Sequence, residues 1–315
     1  MSIRPIPSVL ITLLSSLSLS LAGNPEPLPA LIPRPASITQ GKGQFQLRAT
    51  TSLQTAKAEE IAAAEWLAEQ LRKPTGYALP VKANAAPQSL GFFLDDSLKD
   101  ALGAEGYRLE TTAESVKIQA ASAAGLFYGA QSFRQLLPAQ AFGHKKATDV
   151  TWAVPAVKIE DRPRFAWRGF MIDTSRHFFP IEFLKQLIDD MASQKLNLLQ
   201  IHLTDDDGWR VEIKKYPKLT EIGAWRGTEC ALPNTREGET FKRYGGFYTQ
   251  EQLEELVAYA KQRHVEIMPE VDLPGHALAI ATAYPETLPE KLSDAVSVQG
   301  YKANAISPAR ETNYT

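Results

Sequence analysis

The chain has very little cysteine and no excess of charge of either sign. Cys230 is the only cysteine among 315 residues, so neither an internal disulfide nor a zinc site built from several cysteines can form. Lys and Arg number 34 against 36 Asp and Glu, a formal net charge of -2. This balance gives no electrostatic reason to expect nucleic acid as a partner. With 44% hydrophobic residues, the chain is typical of a globular protein of two domains or one large α/β domain.

The apolar stretch near the amino terminus is too short to be a membrane anchor. It covers residues 9–21, about 13 residues against the roughly 20 that a spanning helix needs. Arg4 precedes it, and small residues follow at the spacing that signal peptidase recognises. The pattern predicts a signal peptide over residues 1–22 and an exported protein, periplasmic or extracellular. No cysteine follows Ala22, so a lipid anchor is not expected.

Residues 23–160 have the mixed pattern of an α+β domain. Short alternating segments predict strands, and alanine-rich segments predict helices. The predicted strands are residues 44–47, 107–109 and 115–120, and the predicted helices are residues 56–72 and 123–137. The first helix has Ile61, Leu67 and Leu71 on a helical spacing. No cluster of His, Asp and Glu occurs in this stretch, so we interpret it as a support domain without chemistry of its own.

Strands and helices alternate in residues 161–315. The predicted strands are residues 165–174, 197–204 and 265–271. The apolar faces of the predicted helices are Ile181, Leu184, Leu187, Ile188 and Met191, then Leu253, Leu256, Val257 and Ala260. Thr249 and Gln252 predict a capping box at the start of the second helix. Such alternation predicts a parallel sheet or a (β/α) barrel, in which active sites lie at the carboxyl ends of the strands.

Charged residues collect at the carboxyl ends of all three predicted strands. They are Asp173, Arg176 and His177 after the first strand, Asp205, Asp206 and Asp207 after the second, and Glu270, Asp272 and His276 after the third. Independent surface charges would occur at both strand ends about equally. The clustering therefore predicts one shared polar site.

Arg176 has two interpretations that the sequence leaves equally open. It follows the first strand and precedes Phe178 and Phe179, so its guanidinium could stand at the mouth of an aromatic-walled pocket. A planar fork of five donors suits paired hydroxyl or carboxylate oxygens. The alternative is a purely structural ion pair with Asp173.

Three adjacent carboxylates, Asp205, Asp206 and Asp207, follow His202. Their pKa values should separate because like charges repel, and we expect one to be functional and the others to serve in a turn or a helix cap. An EF-hand calcium loop is disfavoured, because its acids occupy alternate positions and Lys214 stands where it needs glutamate.

Glu270, Asp272 and His276 lie in the segment PEVDLPGH, where a Pro-Gly turn can bring the imidazole back over the strand end. A His facing a carboxylate is typical of a proton relay. A metal site using His202, Asp205 and His276 is the alternative, and a metal hydrolase of this kind would lose activity in chelator.

Trp209 and Trp225 also have two interpretations. Each could be a platform on which a sugar ring stacks or a core residue, and the core interpretation is favoured.

Three motifs in this second region resemble the first three barrel strands of the β-N-acetylhexosaminidases of glycoside hydrolase family 20. They are RGFMIDTSRHFFP, NLLQIHLTDDDGWR and EIMPEVDLPGHALA. The preceding LIPRPASITQGKGQFQL and GYRLETTAESVKIQAASAAGLFYGAQSFRQLL are similar to the α+β domain that precedes that barrel. The resemblance covers about residues 28–315. It implies an α/β protein, with an N-terminal α+β support domain at 23–160 followed by the first part of a (β/α)8 TIM barrel at 161–315.

The resemblance also implies an activity and roles for site residues. The family is exo-acting and retaining, and it releases terminal non-reducing N-acetylglucosamine or N-acetylgalactosamine with the substrate's own 2-acetamido group as nucleophile. Arg176 would hold hydroxyls of the terminal sugar, and Asp205 with His276 would form a relay to a catalytic Glu. Asp272, His202 and Glu270 would contact the relay residues rather than the substrate. The implied partners are N-acetylhexosamine-containing oligosaccharides, with no metal and no organic cofactor.

The sequence departs from the family at the catalytic Asp-Glu pair. In the family this pair lies in a His-x-Gly-Gly-Asp-Glu segment after the fourth strand, and no such segment occurs in the 315 residues. Residues 165–315 are also fewer than the about 250 of a complete barrel. We therefore expect a truncated chain that is inactive alone. The alternative is a non-catalytic sugar-binding or scaffold protein of the same fold.

Residues 227–244 are expected to form an enlarged loop near the site.

Overall fold

The computed structural model describes residues 28–83, 88–235, 237–290 and 300–313. The predicted signal peptide over residues 1–22 lies outside the described residues. Among the helices of the described part, none is both long enough and apolar enough to cross a membrane.

A seven-stranded mixed sheet forms the first structural unit. In chain order its strands are β1 (Ser37–Gln46), β2 (Leu53–Gln54), β3 (Val81–Lys82), β4 (Leu90–Leu94), β5 (Tyr107–Thr111), β6 (Val116–Ala120) and β7 (Ala153–Asp161). Their order in space is β1-β7-β5-β6-β4-β2-β3. The pairs from β1 to β6 are antiparallel and those from β6 to β3 are parallel. The sequence did not predict β7, which lies between β1 and β5 and ends one residue beyond the predicted boundary at 160.

Helices pack against this sheet. They are α1 (Ala58–Thr75) and α3 (Ala123–Leu136), while the short α2 (Lys99–Leu102) lies in the connection between β4 and β5. Leu109 and Ile118 on β5 and β6 are buried, whereas their neighbours Arg108 and Lys117 are exposed, as the alternation of a half-buried sheet requires. The two longer helices confirm the predicted ones. Ile61 is 43% exposed, because it lies to one side of the buried stripe of α1.

A three-stranded parallel sheet is the frame of the second unit. The strands of this unit are β8 (Gly169–Asp173), β9 (Leu198–His202), β10 (Thr204–Asp205), β11 (Gly208–Trp209), β12 (Trp225–Arg226), β13 (Tyr244–Gly245) and β14 (Glu266–Glu270). The helices are α4 (Ile181–Ser193), α5 (Lys218–Glu221), α6 (Gln250–Lys261) and α7 (Leu278–Ala283). In the frame β9 lies between β8 and β14, while β10–β11 and β12–β13 form two short antiparallel ribbons. The three predicted strands are confirmed, but each is only five residues long, and the first is half the predicted length.

The predicted capping box at the start of α6 is present. The Gln252 N–H donates to Thr249 Oγ1 at 3.2 Å, and the Thr249 N–H donates to Gln252 Oε1 at 3.0 Å. Leu256 and Ala260 are fully buried. The prediction that Val257 is buried was wrong, since it is 50% exposed. Successive residues of a helix are about 100° apart, so Val257 turns away from the side on which Leu256 packs.

A buried ion pair joins the two units. Lys195, in the turn after α4, has its Nζ 2.9 Å from Asp161 Oδ2 and 2.9 Å from the Tyr107 hydroxyl. That hydroxyl also lies 2.6 Å from Ser132 Oγ. Burial lowers the pKa of Lys195, and the charge of Asp161 opposes this effect. The last strand of the first sheet is thus tied to the frame that carries the site.

Candidate active site

The three parallel strands bring their last residues to the same edge of the sheet. The register places Asp173 of β8 and Glu270 of β14 directly beside His202 of the central β9. His202 Nδ1 lies 3.2 Å from Glu270 Oε1. The predicted gathering of acids and bases at the carboxyl ends of the strands is therefore observed.

Asp205 is the centre of the cluster. It lies at the end of β10, immediately after the central strand, and is only 2% exposed. Its Oδ2 is 3.0 Å from His202 Nε2 and 2.5 Å from Arg176 Nη2. Its Oδ1 is 3.0 Å from His276 Nδ1 and accepts the Asp206 N–H at 2.6 Å. One buried carboxylate thus contacts two imidazoles and one guanidinium, drawn from all three strand ends.

These contacts fix the charges of the cluster. Burial alone would raise the pKa of Asp205, but hydrogen bonds from His202 and the Asp206 N–H, with the charges of Arg176 and His276, outweigh it and lower that pKa. The hydrogen bond to Asp205 raises the pKa of His202 to about 9, against the effect of burial and with help from the charges of Asp173 and Glu270. At neutral pH Asp205 is therefore an anion and His202 a cation.

Arg176 takes part in the structural pair and also faces solvent. Its Nη1 lies 2.7 Å from Asp173 Oδ2, and its Nε lies 3.9 Å from Asp207 Oδ2. The predicted ion pair with Asp173 is therefore present. The Arg176 side chain is nevertheless 32% exposed, so the ion pairs do not bury it completely.

Asp206 and Asp207 hold the surrounding loops. Asp206 Oδ1 accepts the Leu278 N–H at the start of α7 at 3.0 Å, and its Oδ2 accepts from Asn304 Nδ2 at 3.2 Å. Asp207 Oδ1 accepts the Thr235 hydroxyl. These contacts are of the turn and capping kind expected for two of the three adjacent carboxylates.

Two groups of side chains have the spacing of a metal site among the residues that the structure describes. They are His202, Glu270 and Asp272, and Asp205, Asp206 and His276, with ligand atoms within 4.8 Å of one another in each group. The set considered from sequence, His202 with Asp205 and His276, is not one of them. In the first group both ring nitrogens of His202 face carboxylates, Nε2 towards Asp205 and Nδ1 towards Glu270.

The tryptophans differ in their surroundings. Trp209 is buried, packs beside Leu219 and Ile280, and donates its Nε1–H to the Val211 carbonyl at 2.5 Å, as the core interpretation requires. Trp225 is half-buried, and the Arg243 guanidinium lies 4.0 Å from its ring centroid.

Sequence reasoning missed two fully buried arginines beneath the cluster, Arg210 and Arg226. Arg210 donates to several backbone carbonyls, including Ala224 at 2.6 Å and Gly246 at 3.1 Å. A Cβ at position 208 would lie 2.4 Å from its guanidinium, which explains why glycine occupies that position. The sequence carries no signal for either arginine, because an isolated Arg is normally exposed.

Alternating strands and helices, with carboxylates and imidazoles at the carboxyl ends of parallel strands, are the arrangement of a (β/α) barrel enzyme. Two family models match the chain. "Glycosyl hydrolase family 20, domain 2" matches residues 28–162, and "Glycosyl hydrolase family 20, catalytic domain" matches residues 165–315. The chain belongs to glycosyl hydrolase family 20. The predicted family and fold class are confirmed.

Curated relatives and solved structures agree with this membership. The chain is 38% identical over 256 residues to the beta-hexosaminidase of Porphyromonas gingivalis, covering 81% of this chain and 32% of that protein. It is 36% identical over 291 residues to the beta-hexosaminidase of Vibrio furnissii, covering 90% and 44%. The exo beta-N-acetylglucosaminidase of Vibrio harveyi, solved with N-acetylglucosamine, aligns with a TM-score of 0.79 at 35% identity, covering 90% of this chain and 43% of that one. The chain thus spans less than half the length of these three proteins.

Proposed function

We propose that the protein is an exo-acting, retaining β-N-acetylhexosaminidase that releases terminal non-reducing N-acetylglucosamine or N-acetylgalactosamine from chitin oligosaccharides or other glycans. The observation that carries this proposal is the buried Asp205 carboxylate, contacted by His202, His276 and Arg176 at one edge of the parallel sheet. The family membership supports the same reaction, and the glycosidase names of the relatives agree with it.

In this proposal Arg176 donates to hydroxyls of the terminal sugar, since its guanidinium is partly exposed beside the cluster. The nucleophile is the 2-acetamido group of the substrate itself, so the protein supplies no nucleophilic carboxylate. Asp205 and His276 form a relay that orients and tunes the general acid. His276 Nδ1 faces Asp205, so Nε2 is the ring nitrogen that would exchange a proton with that acid.

The remaining predicted residues balance and hold this relay. Glu270 contacts the imidazolium of His202 on the side opposite Asp205, and the Asp272 N–H donates to Thr204 Oγ1 at 3.0 Å. Because the 315 residues contain no His-x-Gly-Gly-Asp-Glu segment, the general acid is assigned to none of them. We propose that the 315-residue chain alone does not turn over substrate.

We also propose that the protein is exported, with residues 1–22 removed. The test is cell fractionation followed by amino-terminal sequencing and intact mass measurement of the native protein. A mature terminus near Gly23 in the periplasmic or extracellular fraction supports export. A cytoplasmic protein that retains Met1 or Ser2 contradicts it.

The activity is tested with native protein purified from its source. We expect hydrolysis of 4-nitrophenyl N-acetyl-β-glucosaminide and no hydrolysis of 4-nitrophenyl β-glucoside, because only the first has the acetamido nucleophile. Equal rates on both substrates would exclude the substrate-assisted mechanism. A native protein that binds N-acetylglucosamine without hydrolysing either substrate would instead favour the non-catalytic sugar-binding alternative.

A further inference from the structure

Two buried arginines donate hydrogen bonds to the backbone of the loop that carries Arg176. Arg210 donates from Nε to the Thr174 carbonyl at 3.1 Å and from Nη2 to the Ser175 carbonyl at 2.6 Å. Arg226 donates from Nη2 to the carbonyl of Arg176 itself at 3.1 Å. Three consecutive carbonyl oxygens are therefore held by guanidinium groups from below, and these contacts fix where the Arg176 side chain begins.

The charge of Arg226 is balanced from a different part of the chain. Arg226 forms a bidentate ion pair with Glu239. Its Nη2 donates to Glu239 Oε1 at 2.6 Å, and its Nε donates to Glu239 Oε2 at 3.0 Å. Glu239 belongs to the stretch between β12 and β13, of which the structure describes residues 227–235 and 237–243, hereafter the 227–243 segment. It falls within residues 227–244, which the sequence predicted to be an enlarged loop. The segment thus reaches the backbone of Arg176 through a single buried guanidinium.

A second contact of the 227–243 segment reaches the Arg176 side chain. The Thr235 hydroxyl donates to Asp207 Oδ1, and Asp207 Oδ2 lies 3.9 Å from Arg176 Nε. Arg226 Nη1 also donates to the Asp207 carbonyl at 3.3 Å. The segment therefore contacts the surroundings of Arg176 at both its backbone and its guanidinium.

Breaking the buried Arg226–Glu239 pair is energetically unfavourable. The Arg226 side chain is 2% exposed, so movement of Glu239 would leave a buried cation without its partner. Removal of one partner from a buried pair is strongly unfavourable, whereas exposed pairs contribute little. The pair therefore holds Glu239 beside Arg226 for as long as it is intact.

We propose that the 227–243 segment is a positioning element for Arg176, acting through the Glu239–Arg226 pair and the Thr235–Asp207 hydrogen bond. Glu239 and Thr235 are positioning residues, since neither is assigned to touch the sugar. The positioning stands on the contacts alone. Its effect on affinity for the terminal sugar rests on the proposed function.

The first test uses the 315-residue chain and does not need enzymatic activity. The Nε–H signal of Arg176 is followed by ¹H–¹⁵N NMR and assigned by its loss in Arg176→Lys. Glu239→Gln should shift or broaden this signal. The matched control is Glu229→Gln, in the same segment, because Glu229 pairs with Lys242 at 3.1 Å with both side chains exposed. An Arg176 signal as unchanged in Glu239→Gln as in the control would overturn the proposal.

Two further variants separate positioning from loss of the fold. Glu239→Asp keeps the charge and should restore the Arg176 signal in part. Thr235→Val removes the second contact without breaking the Glu239–Arg226 ion pair. If Glu239→Gln lacks a cooperative thermal transition, Thr235→Val decides by the same criterion: an altered Arg176 signal supports the proposal, and an unaltered one overturns it.

The second test measures the KM of the native protein for the aryl N-acetyl-β-glucosaminide. Glu239→Gln should raise KM about tenfold with a smaller change in kcat, since misplacement of a substrate-holding group by about 1 Å can cost about a hundredfold. Glu229→Gln should leave both constants unchanged. An altered Arg176 signal with an unaltered KM overturns the effect on sugar affinity. If the unsubstituted protein has no activity, the proposed function fails, and the NMR test alone decides the positioning.

Discussion

His202 Nε2 lies 3.0 Å from Asp205 Oδ2, and this contact is the main cause of the positive charge on the imidazole at neutral pH. The imidazolium in turn keeps Asp205 ionised in a buried position, where an isolated carboxylate would be neutral. The anion at the centre of the cluster therefore depends on a histidine that the substrate need not touch.

Because of the His202–Asp205 pair, we expect the free energy of unfolding to depend on pH. The pKa of His202 is raised to about 9 in the folded chain and is about 6.5 in the unfolded chain, so the folded state holds the proton more tightly. The stabilisation is complete below pH 6.5 and is lost as the pH rises through about 9. At about 1.4 kcal/mol per pKa unit, we expect the free energy of unfolding to fall by about 3 kcal/mol across this window.

The measurement is urea unfolding at several pH values, with an NMR titration of the His202 ring. Asp205→Asn should lower the pKa of His202 because it removes the hydrogen-bonded carboxylate. His144→Gln, at an exposed position, serves as the control and should leave the pH dependence unchanged. A His202 ring that titrates near pH 6.5 in the unsubstituted chain would contradict the prediction.

Substitution of Arg176 should weaken binding of the sugar more than it slows the reaction. We expect Arg176→Ala to raise KM about a hundredfold, because hydrogen bonds from a charged donor contribute about 1.5–3 kcal/mol each. Arg176→Lys keeps the charge but loses the planar fork, so its KM should be intermediate. Steady-state kinetics of the native protein carrying each substitution, on the aryl N-acetyl-β-glucosaminide, measure both, with exposed Arg162→Ala as the control. A KM that changes no more than in the control would return Arg176 to a structural role.

The relay residues should affect kcat and its pH dependence. In the native protein, we expect Asp205→Asn and His276→Ala each to lower kcat by about ten- to a hundredfold with a smaller change in KM, because they act through the general acid. The acidic or basic limb of the pH–rate profile should shift in each variant. Retention of the original profile in both would remove the relay role.

Metal removal should leave the activity unchanged. Treatment with EDTA and dialysis is the test, with activity measured before and after on the same substrate. The expectation follows from the acetamido mechanism, in which the substrate supplies the nucleophile. Activity that disappears in EDTA and returns with Zn²⁺ would favour the metal hydrolase hypothesis.

The strand ends could be predicted from sequence because parallel strands present their carboxyl ends at a common edge. Asp173, Asp205 and Glu270 each stand at the end of a predicted strand, so their gathering at one end of the sheet follows from the pattern, whereas the end of the central strand at His202 was not predicted. The pair formed by Arg226 and Glu239 could not be predicted in the same way. It joins residues of an irregular segment, where neither a helical nor a strand period relates one position to the next.

Long-range pairing also limited the prediction of the first unit. The strand Ala153–Asp161 lies between partners that are distant in the chain, Ser37–Gln46 on one side and Tyr107–Thr111 on the other. Its identity as a strand depends on these neighbours as well as on its own residues, since strand preference is strongly dependent on context.

The ion pair between Lys195 and Asp161 has a consequence for recombination between relatives. A chimera that takes the first unit from one protein and the second from another would inherit the two charges from different parents. Unless both parents carry the pair, the chimera would have an unpaired cation or anion in the buried junction between the two units. An unpaired buried charge substantially lowers the free energy of unfolding. A chimera should therefore take residues 161 and 195 from the same parent.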